Sequence, residues 1–400
     1  MQKLDKLTKR RILFLLTAMF FLGVSATDIY IASLPQMVAD FHSTPQTVNL
    51  TLSSYSIGIA FGVLFTGELS NRFGRRKVLL WGVSCFSIAA GLITFAPTIW
   101  GIIILRVIQS FGCAVILIVP RLILKDCMDE REQVHANGVL LMGLIISPAI
   151  APVLGAYIAT YLSWHYCFLF SAIAGFILVA ITRKILPETN LERISRIPSL
   201  QRYLKGYLSL LKNRIFITLT LIYASGVGAY FAFIGISSYL YIGYLHISPI
   251  KYSYVFLGLS AAYLTGNQLM QFLNRKKAPL VNIIGIGVYS TASGVVILII
   301  TLFFDNLTVI ALLATIGVLL MRVANALINP PTQIKIMSHF HTQSAQALGL
   351  NMCIGFSVNS LATYMVTMLP TYPLLSFVLT SGIFIGICLA AYKLNHKIIS

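Results

Sequence analysis

The sequence predicts an all-α polytopic membrane protein, with twelve transmembrane helices arranged as two six-helix bundles. Three observations carry this. The 400 residues are 58% hydrophobic and only 10% charged, with a mean hydropathy of +0.86, whereas a soluble domain carries about 25% charged residues. Long apolar runs recur along the whole chain, and at ~20 residues per span plus short loops this length allows about twelve of them. Charge is also segregated: of the 29 Lys and Arg, all but Arg106, Lys251 and Arg322 fall in the termini and in alternate loops. Such one-sided positive charge places both termini in the cytoplasm and requires an even number of spans. The net charge of +18 therefore reads as membrane topology rather than nucleic-acid binding.

Taken in order, span 1 is expected over about 12–34, ending at Pro35. Lys9-Arg10-Arg11, an apolar run and Val24-Ser25-Ala26 have the form of a cleavable leader, but the run continues through Ile31, so an uncleaved first helix is expected. Span 2 (about 45–66) has Thr44 as its cap and Pro45 at its first position. Spans 3 to 6 follow at about 78–96, 99–120, 134–161 and 166–186. A long basic segment then separates the halves. Spans 7 to 12 are expected at about 214–243, 250–273, 280–304, 306–329, 344–368 and 371–393. The layout gives an N-terminal bundle (1–190), a cytoplasmic linker (191–213) and a C-terminal bundle (214–400). Small residues every fourth position mark close-packing stripes on spans 2, 5, 8 and 11, for example Gly58 and Gly62, Gly143 and Gly155, and Gly258 and Gly266. The six cysteines lack metal-ligand spacing and read as small packing residues.

A charge at the bilayer centre costs about 2.5–3.5 kcal/mol on insertion scales, so each one needs a reason. One acid, Asp28, and two cations, Arg106 and Arg322, interrupt the apolar cores. By helical rise, Asp28 lies about 8 Å below the outer end of span 1 and Arg106 about 10 Å into span 4. Their shared depth suggests a pair. Pairing would favour the charged acid and burial would oppose it, which is the competition a proton-coupled switch needs; a static ion pair, or an Asp28 snorkelling to the outer interface, is the alternative. Gln109, mid-span, faces either substrate or another helix. Arg322, near the inner third of span 10 with Asn325 and Asn329 after it, reads as a structural group at the inner gate.

Two further stretches stand out. Gly67-Glu68-Leu69-Ser70-Asn71-Arg72-Phe73-Gly74-Arg75-Arg76-Lys77-Val78 packs four cations between two spans. Its order resembles the loop between helices two and three of the major facilitator superfamily, where it braces the cytoplasmic gate; Gly67, Asn71, Arg72, Gly74, Arg75 and Arg76 are the corresponding gating residues. The family usually has Asp where this chain has Asn71, which implies a weaker inner-face lock. Span 5 reads Ser147-Pro148-Ala149-Ile150-Ala151-Pro152-Val153-Leu154-Gly155, resembling the antiporter motif of the drug-exporting branch through Pro148, Ala151, Pro152 and Gly155. With Thr27-Asp28-Ile29-Tyr30, the span 4 stretch Arg106-Val107-Ile108-Gln109, the Lys125-Asp126 pair and Leu186-Pro187-Glu188-Thr189, the first half is similar to the Bcr/CflA group of drug:proton antiporters. That resemblance implies the major facilitator fold, contact of spans 2 with 11 and 5 with 8 across the halves, and proton coupling through Asp28 and Arg106.

Aromatic and amide residues supply a candidate substrate cavity: Tyr30, Tyr55 and Gln109 in the first half, Tyr230, Phe233, Asn267, Asn351, Phe356 and Asn359 in the second. Such a lining suits small amphiphilic organic molecules. The expectation is a non-enzymatic, proton-driven multidrug exporter of a bacterial inner membrane. It needs no cofactor, works as a monomer, and has protons, a small-molecule substrate and the bilayer as its partners. An exporter of one metabolite or siderophore, or a proton-coupled importer, is the alternative. No phosphate-binding loop, mid-span histidine cluster or paired intramembrane acids point to an ATPase or an intramembrane enzyme.

Overall fold

The computed structural model describes residues 5–190 and 200–399. In chain order the helices are α1 (Lys6–Asp28), α2 (Leu34–Asp40), α3 (Pro45–Phe73), α4 (Arg75–Thr94), α5 (Ile99–Cys127), α6 (Glu130–Tyr161), α7 (His165–Ile185), α8 (Leu200–Lys212), α9 (Arg214–Ser238), α10 (Pro249–Arg275), α11 (Leu280–Thr301), α12 (Leu307–His339), α13 (Ser344–Met365) and α14 (Pro373–Ile399). Polar residues set their starts. Thr44 accepts from the Thr47 amide ahead of Pro45, Thr98 caps α5, Asp129 and Glu132 form a reciprocal capping box on α6, and Asn213, Ser248 and Asn306 cap α9, α10 and α12.

Ten spans among the described residues are long and apolar enough to cross a membrane. The other two expected spans are present as α10 and α13, of 27 and 22 residues. Asn267 and Gln268 on α10, and Asn351, Asn359 and Ser360 on α13, make these two less apolar. The architecture is all-α, as expected. The linker region differs from its reading as a plain polar segment: its second part folds as α8, while 191–199 lie outside the described residues.

The chain forms two compact units, Met1–Ser33 with Ser54–Pro198, and Leu34–Ser53 with Ser199–Ser400. In the first, α4 packs on α5 and α7, and α1 packs on α6, α7 and α5. In the second, α12 packs on α11 and α10, and α9 packs on α14 and α13. The start of α3, as far as Ser53, belongs to the second unit. There Asn49 Nδ2 donates to the carbonyls of Gly235 (2.7 Å) and Thr363 (3.0 Å), and the Ser53 and Thr363 hydroxyls share a 2.8 Å hydrogen bond.

Several glycines of the small-residue stripes on spans 2, 5 and 8 pack against neighbours within their own unit. A Cβ on Gly58 or Gly62 would meet Ser110 or Ala114 of α5, one on Gly143 would meet the Thr17 carbonyl of α1, and one on Gly266 would meet Val323 and Ala326 of α12. Small residues let backbones approach wherever helices lack a hydrophobic drive to associate, and neighbours within a bundle exploit that as readily as partners across it.

Candidate functional site

Span 1 is not the continuous helix expected. α1 stops at Asp28, a 3-10 turn follows at Ile31–Ser33, and α2 begins at Leu34. A helix end leaves its last carbonyls without intrahelical donors. The Ala26 carbonyl is one of these, and a side chain of the first unit supplies its donor, while a second side chain ties in the helix one turn earlier. Arg106 of α5 donates from Nη1 to the Ala26 carbonyl (3.0 Å), and the Tyr55 hydroxyl of α3 donates to the Gly23 carbonyl (2.9 Å). A cation at a helix C-terminus also meets the favourable end of the macrodipole. Arg106 thus acts as a C-terminal cap of α1, holding the helix end whose last residue is Asp28.

The guanidinium is fully buried, and its surroundings are built for it. Nη1 also donates to Gln109 Oε1 at 2.7 Å, one turn along α5. Its Cζ lies 3.9 Å from the ring centre of Tyr55, 4.9 Å from that of Tyr30 and 5.9 Å from that of Phe168. Desolvated cation–π contacts contribute up to about 2 kcal/mol. Tyr30 and Phe168 pack on each other at 5.0 Å. Asp28 is buried, 8% exposed, at this break. The structure therefore gathers Tyr30, Tyr55, Arg106 and Gln109 into one cluster that cradles the arginine, beside the helix end at which Asp28 lies. Ala26 and Phe168 were missed by sequence reasoning, one acting through its backbone and the other an ordinary apolar residue.

The antiporter-type stretch supports the same break. α6 runs unbroken through Pro148 and Pro152, both buried together with Ala151. A Cβ on Gly155 would collide with the carbonyl of Ile29, the residue just past Asp28. Only glycine lets α6 approach the interrupted backbone this closely.

The basic stretch between spans 2 and 3 is two helix ends rather than a loop, joined at Gly74 with φ of 95°. Gly74 has no side chain to cap α4, and Glu188 does it instead: its Oε1 accepts from the Arg75 amide at 2.8 Å. The Arg75 side chain is buried, and with its amide Arg75 joins three stretches read separately in the sequence. Nε pairs with Asp126 at 2.9 Å, while Nη1 donates to Asn71 Oδ1 (2.6 Å) and the Ser70 hydroxyl (2.8 Å). Thr189 donates to Asp126 (3.3 Å), and Asn190 Nδ2 to the Asn71 carbonyl (3.0 Å). Arg76 reaches the Arg183 carbonyl at 2.8 Å, whereas Arg72 is exposed and stacks on Phe73 at 5.1 Å. Gly67 has open space beside it. The uncharged Asn71 accepts directly from Arg75, within the first unit. The acids Asp126 and Glu188, each close to basic residues in a chain with few acids, were the signal that could have joined these features in advance.

In the second unit two of the candidates, Tyr230 and Phe233, lie in ring contact at 6.4 Å. Phe233 sits in an aromatic group with Tyr241, Phe256 and Phe377, at centroid distances of 6.1, 6.2 and 6.0 Å. Tyr230 lies beneath Arg322 at 4.6 Å, and Tyr263 of α10 is equally close to that guanidinium. Asn267 follows Tyr263 by one turn and is half-buried, as is Phe356. Asn351 is fully buried with neither side-chain polar atom bonded among the described residues, and Asn359 is buried with its Oδ1 unbonded.

Known proteins resemble this arrangement along its whole length. A solved bacterial homolog of the human lysosomal transporter Spinster superimposes with a TM-score of 0.78 over 98% of both chains at 14% identity, a likeness of fold. The chain is 27% identical to a chloramphenicol resistance protein of Pseudomonas aeruginosa, over 92% of this chain and 87% of that one. It is 27% identical to a bicyclomycin resistance protein homolog of Haemophilus influenzae, over 58% of each. The chain spans less than two thirds of the length of several such relatives, 65% for an uncharacterized Rickettsia bellii transporter. The model of the Major Facilitator Superfamily matches residues 13–363, and with the all-helical architecture just described this places the chain in that family.

Proposed function

We propose that the protein is a proton-coupled exporter of small amphiphilic organic compounds, working as a monomer in a bacterial inner membrane with both termini in the cytoplasm. The observation that carries this reading is the buried cluster at the α1 break, where Asp28 ends a helix whose preceding carbonyl is held by Arg106. A buried acid beside a fixed cation is costly in lipid and is retained where it works. Two relatives named for chloramphenicol and bicyclomycin resistance support drug-like cargo.

In this reading Asp28 takes up the coupling proton. Arg106 is its fixed counter-charge and, through Ala26, the brace of the helix end that carries it. Tyr30, Tyr55 and Phe168 keep water away from the guanidinium. One charge moved across 100 mV releases ~2.3 kcal/mol, which supports a gradient of about forty-fold. Export then needs no nucleotide or cofactor. The Arg75 network with Asn71, Asp126 and Glu188 holds the cytoplasmic ends of α3, α4 and α5 together while the bundle moves as a body.

The test uses inverted membrane vesicles with an acid interior and a pH dye in the lumen, with wild type beside Asp28→Asn. The expected result is lumen alkalinisation on addition of at least one amphiphilic compound, lost in the variant. Movement of substrate with no pH response in wild type would contradict the reading.

A further inference from the structure

Arg322 lies within α12, and its charge has no counterpart in its surroundings. After Glu192, the sequence holds one acidic residue, Asp305, which precedes α12. Asp305 is seventeen positions from Arg322, about 25 Å along a helix. Asp40, in the same unit, is exposed. Among the described residues Arg322 forms no ion pair and no hydrogen bond, and its buried Nε lacks an acceptor. What it has is aromatic: the ring centres of Tyr230 and Tyr263 each lie 4.6 Å from Cζ. Rings stabilise the cation over their faces but leave its N–H groups, which point outward in the guanidinium plane, without acceptors.

The next turns of α12 continue the pattern. Asn325, three positions on and therefore on a neighbouring face, is 1% exposed with neither Nδ2 nor Oδ1 bonded, and Asn329 has an unbonded buried Oδ1. Buried donors left unmade are expensive, and an intramembrane cation needs a partner. We propose that Arg322, Tyr230, Tyr263 and Asn325 form a binding site for the carboxylate of an aromatic or otherwise apolar organic acid. The planar fork of arginine matches a carboxylate in bidentate geometry. A single positive charge balances a monoanion, the tyrosine rings receive its apolar body, and the Asn325 amide supplies a further donor. This replaces a purely structural role for Arg322. It rests on the transport reading above, whose cargo class it narrows to amphiphiles bearing an acid.

The experiment is equilibrium titration calorimetry on the full chain in lipid nanodiscs, without a proton gradient. The probes are 1-naphthoate, 4-phenylbenzoate, indole-3-acetate and 3-phenylpropionate, each against its primary amide. The expected result is that at least one acid binds ten-fold or more tightly than its amide, and that this preference falls below three-fold in Arg322→Gln. No acid preferred over its amide in wild type, or a preference that survives in Arg322→Gln, would overturn the proposal. Should the variant not fold, wild type alone decides by phenylglyoxal modification and peptide mass spectrometry. The acid should slow modification of Arg322 at least five-fold and the amide should not; equal protection by both overturns the site. Because binding is read without a gradient, a failed titration leaves proton coupling standing, and vesicles without a pH response leave the site standing.

Discussion

Arg106 and Arg322 are each placed well inside a membrane-spanning helix, one in each unit, and each is surrounded by aromatic rings. The rings are where the likeness ends. Arg106 has a backbone carbonyl and a glutamine oxygen for its Nη1, and it sits at the break that carries the chain's one intramembrane acid. Arg322 has two tyrosine faces and no acceptor among the described residues. The first cation is tied into the fold through Nη1 and positions other groups. The second is held ready and left unsatisfied, as a group is when its partner arrives from outside. Arg106 is fully buried and Arg322 half-buried, and their hydrogen-bond partners distinguish them where hydropathy does not.

The largest single effect should come from breaking the support of the first cluster. Gly155→Val places side-chain atoms against the Ile29 carbonyl, and overpacking against backbone costs about 3 kcal/mol. A lowered unfolding temperature in nanodiscs, with lost proton response in vesicles, is expected. An unchanged melt would mean that α6 does not brace the break. A much smaller effect is expected at the Lys9–Glu132 pair (2.6 Å). The Lys9 ammonium and the Asp129 amide hold the Glu132 carboxyl below the usual carboxylate range. A depressed value contributes stability that is present above the ordinary carboxylate range and is lost as pH falls through the lowered value. Glu132→Gln should therefore melt slightly below wild type at neutral pH, with the gap closing in acid. A gap that widens in acid would reverse the sign assigned to the pair.

The sequence displays the helices, their caps and the intramembrane charges openly, because apolar runs, capping residues and lone ions are local signals. It also displays the Asn71–Arg75 stretch, since its order is distinctive. What it hides depends on backbone and on depth. The break after Asp28 is invisible in a run as apolar as Ile29-Tyr30-Ile31-Ala32-Ser33-Leu34, because it is set by α6 approaching at Gly155 and by Arg106 taking the Ala26 carbonyl. The partners of the glycine stripes stayed hidden because periodicity shows that a helix face is small, not which neighbour it meets. Tyr230 and Tyr263 could not be assigned to Arg322 because pairing across α9, α10 and α12 is a tertiary fact.

The most direct measurement compares the two arginines by replacing each with methionine and recording thermal unfolding without ligand. Arg106→Met strands the Gln109 oxygen and the Ala26 carbonyl, each at about 1–3 kcal/mol, and should lower the unfolding temperature clearly. Arg322→Met removes a half-buried cation with no hydrogen bond among the described residues and gives up only its contacts with the Tyr230 and Tyr263 rings, about 0.5–2 kcal/mol, so it should lower that temperature clearly less. Equal destabilisation by both would contradict the account, because it would mean that Arg322 is as fully used by the fold as Arg106.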